Sequence, residues 1–105
     1  MEKSNPTGRI TIINPNSSEA VTKSIDEAVD PLRWSEGPVI DCLTLKEGPP
    51  GIETQCHVDG VVAPLSDLIR KEDATTDAFV IACCSDPGLH AARETASSSV
   101  FGIAE

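Results

Sequence analysis

Residues 77–83, DAFVIAC, are apolar almost throughout and run straight into Cys84, Ser85, Asp86, Pro87 and Gly88. A short run of this kind has the composition of a strand covered on both faces, as in a parallel sheet between helical layers. The Ser-Asp-Pro-Gly segment cannot extend such a strand. Leu89, Ala92 and Ala96 then recur at helical spacing. Two adjacent thiols, Cys83 and Cys84, therefore fall where a buried strand hands over to a helix.

The rest of the chain repeats this alternation. Residues 9–14, RITIIN, form a β-rich run, and Pro15 biases Asn14 away from helical geometry, so the strand stops there. Asn16-Ser17-Ser18-Glu19 reads as an N-cap at Asn16 with an acidic residue three positions on. Val21, Ile25, Ala28, Val29 and Leu32 give that first helix one apolar face, with Pro31 near its end. A second strand is predicted over 38–45, PVIDCLTL, followed by the Gly- and Pro-dense loop KEGPPGIE. Val58, Val61, Val62, Leu65, Leu68 and Ile69 mark one longer helix. Pro64 should kink it, because proline lacks the N–H and crowds the carbonyl four residues back. VFGIA, at 100–104, is read as a fourth strand.

The order β-α-β-α-β-α-β in 105 residues predicts one α/β unit, a parallel four-stranded sheet with right-handed crossovers and flanking helices. The first and third strands should be neighbours at its centre. One Trp, two Phe and no Tyr leave Val, Ile, Leu and Ala to build the core. The net charge of −9 argues against nucleic acid or an anionic membrane surface as partner. No apolar stretch approaches the ~18 residues of a membrane span, and MEKSNPTGR lacks a signal-peptide core, so a cytoplasmic location is expected.

Four cysteines in such a chain are expected to be free thiols. Cys42, Cys56, Cys83 and Cys84 form no C-x-x-C pair, and His57 and His90 complete no zinc-finger spacing, so neither a metal site nor thioredoxin-type redox chemistry is expected. Ligands of open parallel sheets bind beyond the carboxyl ends of the strands. Asn14, the 46–53 loop, residues 83–86 and Glu105 should share that rim. With Asp86 as N-cap and Pro87 as first helical residue, the backbone N–H groups of residues 85–89 would favour negative charge beside Cys83. A helix terminus contributes about 0.3–1 kcal/mol, too little to turn a thiol into a strong base without further donors or bound substrate. Position alone leaves both chemistry and packing open for Cys83. Cys42 and Cys56, inside a predicted strand and helix, suit packing. His57 and His90 suit the surface, and Asn14 and Asn16 suit turn and cap positions.

The segments INPNSS, GPPGIET, DAFVIACCSDPGLHAARE and VFGIAE together resemble the aspartate/glutamate/hydantoin racemase superfamily, in its hydantoin and allantoin racemase branch. The resemblance spans residues 9 to 105. It implies a flavodoxin-like half of a two-domain fold, with cofactor-independent proton transfer at a carbon next to a carbonyl. One cysteine from each half would serve each face of that carbon. Carried over by position, Cys83 is the implied catalytic thiol, and Asn14, Ser17, Thr54, Cys84 and Ser85 are the implied substrate contacts. Cys84 and Ser85 would act through their backbone N–H groups. The implied partner is a small molecule: a hydantoin, allantoin or an amino acid. Within the same family, an arylmalonate-decarboxylase- or maleate-isomerase-like enzyme with one cysteine is the alternative.

The resemblance further implies that the family's second domain, with the second cysteine, is absent from this chain. Three expectations follow: the N-terminal part of a longer enzyme, a truncated inactive binding module, or a homodimer in which two copies imitate the two halves.

Overall fold

The computed structural model describes residues 8–105. The N-terminal stretch read above as lacking a signal-peptide core lies, up to residue 7, outside the described residues. Four parallel strands, β1 (Arg9–Asn14), β2 (Val39–Thr44), β3 (Ala78–Ile81) and β4 (Ser99–Gly102), form one sheet in the order β2-β1-β3-β4. The helices are α1 (Glu19–Val29), α2 (Gln55–Gly60), α3 (Val62–Glu72) and α4 (Leu89–Thr95), and 3₁₀ turns follow α1 and α3. The first and third strands are central neighbours, as expected if the rim residues are to converge. No helix among the described residues is long and apolar enough to cross a membrane.

Side-chain alternation divides the sheet into two unlike faces. On one, Ile13, Phe79, Ile81 and Val100 meet Leu65 and Ile69 of α3 and Leu89 and Ala92 of α4 in a single core. Phe79, Ile81, Leu65 and Ile69 are fully buried, each contributing about 1.5–3 kcal/mol by leaving water. On the other face α1 lies over β1 and β2. Thr22 is its buried residue, bonded to Thr44 Oγ1 at 2.6 Å and to Asn14 Nδ2 at 3.1 Å. The expected apolar face of α1 is met only in part: Ile25 and Val29 are half-buried, but Val21, Ala28 and Leu32 are exposed, and the polar Thr22 takes the buried position.

The expectation that β3 is covered on both faces is met on one. Phe79 and Ile81 are buried, but Ala78 and Val80 are only half-buried. Phe101, in register with Val80, is 52% exposed. The other end of the sheet is closed by Arg9, whose guanidinium meets Asp41 Oδ2 at 2.7 Å and Glu72 Oε1 at 3.1 Å.

The long kinked helix proves to be two. Val61 closes α2 and opens α3, so the break sits just after Gly60, the residue whose carbonyl Pro64 cannot bond. The cap of α1 is Ser18 rather than Asn16. Its hydroxyl accepts the Val21 N–H at 3.2 Å, while Asn16 Oδ1 turns back to accept the Ser18 N–H at 2.9 Å.

Candidate active site at the carboxyl ends of the strands

The chain leaves β1 toward β2 on one side and reaches β3 on the other, so the β1/β3 boundary is where strand order reverses. Crevices at such points hold ligands in open α/β sheets. The last β1–β3 register pair is Ile13 with Ile81, and the Ala82 N–H extends the ladder to Ile13 O at 2.9 Å. Asn14 and Cys83 therefore emerge side by side from adjacent strands.

Beyond β3 the chain turns at once. The Asp86 N–H closes on Cys83 O at 3.0 Å, and Cys83 Sγ lies 3.5 Å from Ser85 Oγ. Cys83 is half-buried, whereas Cys84 and Ser85 are exposed. The backbone N–H groups of Cys84 and Ser85 have no acceptor among the described residues, so both remain available to a ligand oxygen.

The helix after the cysteine turn starts later than expected. Asp86 is not the N-cap and Pro87 is not the first helical residue. Gly88, at φ 71°, precedes a helix that starts at Leu89, and Asp86 adopts φ 46°. The Leu89 N–H is spent on Asp86 O at 3.3 Å. Available donors near the thiol are thus turn amides rather than the first turn of α4.

Beyond β1, the INPNSS loop is organised by Asn14. This residue is 2% exposed, and its Nδ2 has three acceptors: Asn16 Oδ1 at 2.8 Å, Ser18 O at 3.1 Å and Thr22 Oγ1 at 3.1 Å. Its Oδ1 accepts the Asn16 N–H at 3.2 Å. The side chain shapes the rim, with its donor hydrogens already occupied. Ser17 joins this loop to the next through its N–H on Pro49 O at 2.8 Å. Gly48 permits that contact, since a Cβ there would come 2.4 Å from Pro15 O.

Thr54 caps α2 by accepting the His57 N–H at 3.1 Å, and His57 Nδ1 accepts the N–H groups of Glu53 at 2.9 Å and Thr54 at 3.2 Å. Among the described residues no hydrogen bond joins Ser17 or Thr54 to the cysteine turn. His57, read as a surface residue, is the acceptor that fixes the Glu53–Thr54 backbone. The spacing Thr54-x-x-His57 carried that signal in the capping-box positions, with His where Glu or Gln is usual.

The remaining thiols belong to other elements. Cys42 lies in β2 on the face of α1, where burial pushes its thiol up and the Asp26 carboxylate adds to the effect. It lines a cavity of about 430 Å³ with Glu19, Thr22, Thr44, Lys46 and Glu72, none of them part of the cysteine turn. Cys56 on α2 is exposed, which corrects its reading as a packing residue. Among the described residues no cluster of three or more His, Cys, Asp or Glu side chains is arranged to hold a metal ion.

Comparison with known proteins points one way. The sequence profile of the Asp/Glu/Hydantoin racemase family matches residues 10–105. A hydantoin racemase from Pseudomonas sp. (strain NS671) is 40% identical over 101 residues, covering 92% of this chain and 39% of the relative. A hydantoin racemase from Paenarthrobacter aurescens is 35% identical over 99 residues, covering 92% and 42%. In structure, the allantoin racemase from Klebsiella pneumoniae superposes with a TM-score of 0.85 at 37% identity, over 93% of this chain and 40% of that one. The chain spans about two fifths of the length of these relatives.

Proposed function

Because the chain belongs to the Asp/Glu/hydantoin racemase family, we propose that it supplies one acid–base face of a cofactor-independent racemase for hydantoin- or allantoin-like substrates. The observation that carries this reading is the emergence of Asn14 and Cys83 from adjacent central strands, beside two unbonded turn amides.

In the proposed reaction the Cys83 thiolate removes the proton from the carbon next to a ring carbonyl. The C–H electron pair moves into the carbonyl, leaving a planar enolate with its charge on oxygen. The Cys84 and Ser85 N–H groups receive that oxygen, where fixed donors act most strongly on developing charge. A second thiol on the opposite face returns a proton, and the product is the other enantiomer. In the reverse direction the two thiols exchange roles. Asn14 holds the INPNSS loop in shape, and Ser17 and Thr54 line the rim around the substrate. A reducing, cytoplasmic setting suits a mechanism that depends on free thiols.

Among the described residues neither Cys42 on β2 nor Cys56 on α2 is hydrogen-bonded to the cysteine turn, and the second thiol is assigned to a second half or a second copy of this chain. Ultracentrifugation combined with polarimetry and α-deuterium exchange on a 5-substituted hydantoin or allantoin tests this. A dimer that racemises, and loses activity with Cys83→Ser, supports a cleft shared by two copies. A monomer that binds the hydantoin but leaves its rotation unchanged supports a half-site. A monomer that racemises overturns the two-thiol mechanism. Proton return by Cys83 alone, after loss of a substrate carboxylate, would instead indicate the decarboxylase-like alternative.

A further inference from the structure

Asp86 is the one non-glycine among the described residues with a positive φ, 46°. A side chain in the left-handed region costs roughly 1 kcal/mol or more, least for Asn and Asp, and persists only where its surroundings hold it. Here the holding contact comes from beyond the neighbouring edge strand, β4. Asp86 Oδ1 accepts the Ala104 N–H, just beyond β4, at 3.1 Å.

Gly102 makes that reach sterically feasible. It pairs in register with Ile81 at the last step of the β3–β4 ladder. A Cβ on it would come within 2.4 Å of the Asp86 carboxylate. The carboxylate thus occupies a notch that exists because position 102 has no side chain. The Gly102 N–H is engaged separately, by Glu105 Oε1 at 3.1 Å, and Glu105 also pairs with Arg93. The Asp86 backbone N–H closes the cysteine turn on Cys83 O at 3.0 Å.

We propose that Asp86 is a positioning residue for Cys83: its carboxylate, seated over Gly102, anchors the cysteine turn of β3 to the exit of β4. The proposal rests on the reading of Cys83 as the acid–base thiol. Asp86 itself touches no reacting atom. It fixes the turn that carries the thiol and the two unbonded amides.

Two readouts on the full chain test it: amide hydrogen exchange at positions 86 and 104, and the ratio of iodoacetamide rates at Cys83 and Cys84 by peptide mapping. Asp86→Asn keeps an oxygen acceptor and tolerates the left-handed conformation, so it should match the wild type in both. Asp86→Gly removes the anchor and the backbone strain together. It should exchange at least about tenfold faster at both amides, and its Cys83:Cys84 ratio should fall toward about one. Gly102→Ala should do the same by expelling the carboxylate.

Should Gly102→Ala fail to fold, Asp86→Gly decides alone, since glycine takes this φ freely. Wild-type protection at both amides in folded Asp86→Gly overturns the proposal. A wild type that labels Cys83 no faster than Cys84 overturns the underlying reading, and the proposal with it, whatever the exchange pattern.

Discussion

Asn14 Nδ2 donates to Thr22 Oγ1 at 3.1 Å, tying the end of β1 to the first turn of α1 inside a buried polar cluster. Thr44 Oγ1 completes the chain of contacts, 2.6 Å from Thr22 Oγ1. The loop nearest the switch point is therefore set by side-chain hydrogen bonds rather than by apolar packing. Such networks are costly to interrupt, because each lost partner leaves a desolvated group behind.

Asn14→Ala should accordingly destabilise the fold by about 1–3 kcal/mol, read from the midpoint of chemical denaturation. Asn14→Asp should also destabilise, since a carboxylate would face Asn16 Oδ1 and Ser18 O, both acceptors. Unchanged stability in both variants would show that Asn14 does not organise the loop.

The Gly60–Val61 break offers a gain. Gly60 ends α2 without a positive φ, and a Cβ there meets no atom within 4 Å. Gly60→Ala should stabilise the chain by about 0.5–1 kcal/mol, by reducing the freedom of the unfolded chain and favouring helix. A loss in thermal unfolding would mean that the break needs glycine itself.

Asp73 predicts a pH dependence. Its partial burial alone would push the carboxyl up, but the N–H and hydroxyl groups of Ser97 and Ser98 outweigh this and hold it below the ordinary carboxylate range. A folded value below the unfolded one contributes stability above the unfolded value, and that stability is lost as pH falls through the folded one. Asp73→Asn should lower Tm at pH 7, and the gap to wild type should close as the solution is acidified below the carboxylate range. A gap independent of pH would contradict the assignment.

How far the sequence could be read follows from the range of each determinant. The strands were legible because β-branched runs are local: RITIIN coincides with β1, and the reading of 38–45 overshoots β2 by one residue at each end. Caps depended on distant partners. Asn16 fits an N-cap locally, yet its oxygen is taken by Asn14 and Ser18. Asp86 before Pro87 also fits locally, yet Gly102 and Ala104 recruit its carboxylate. Of the implied site, Cys83 and Ser85 meet directly and Asn14 reaches the same rim, but as a shaping residue whose donors are occupied. The turn of α1 was only partly legible: Ile25 and Val29 face inward with Thr22, whereas Val21 and Ala28 do not.

The proposal that Cys83 meets the substrate is tested by brief iodoacetamide labelling at neutral pH, with and without a 5-substituted hydantoin, mapped by mass. Exposure alone favours Cys56 and Cys84, both more accessible than Cys83, and burial beside Asp26 disfavours Cys42. Cys83 should nevertheless be modified first, and the hydantoin should protect it while leaving Cys56 unaffected. Labelling of Cys56 and Cys84 ahead of an unreactive Cys83, with no protection by the hydantoin, would contradict it.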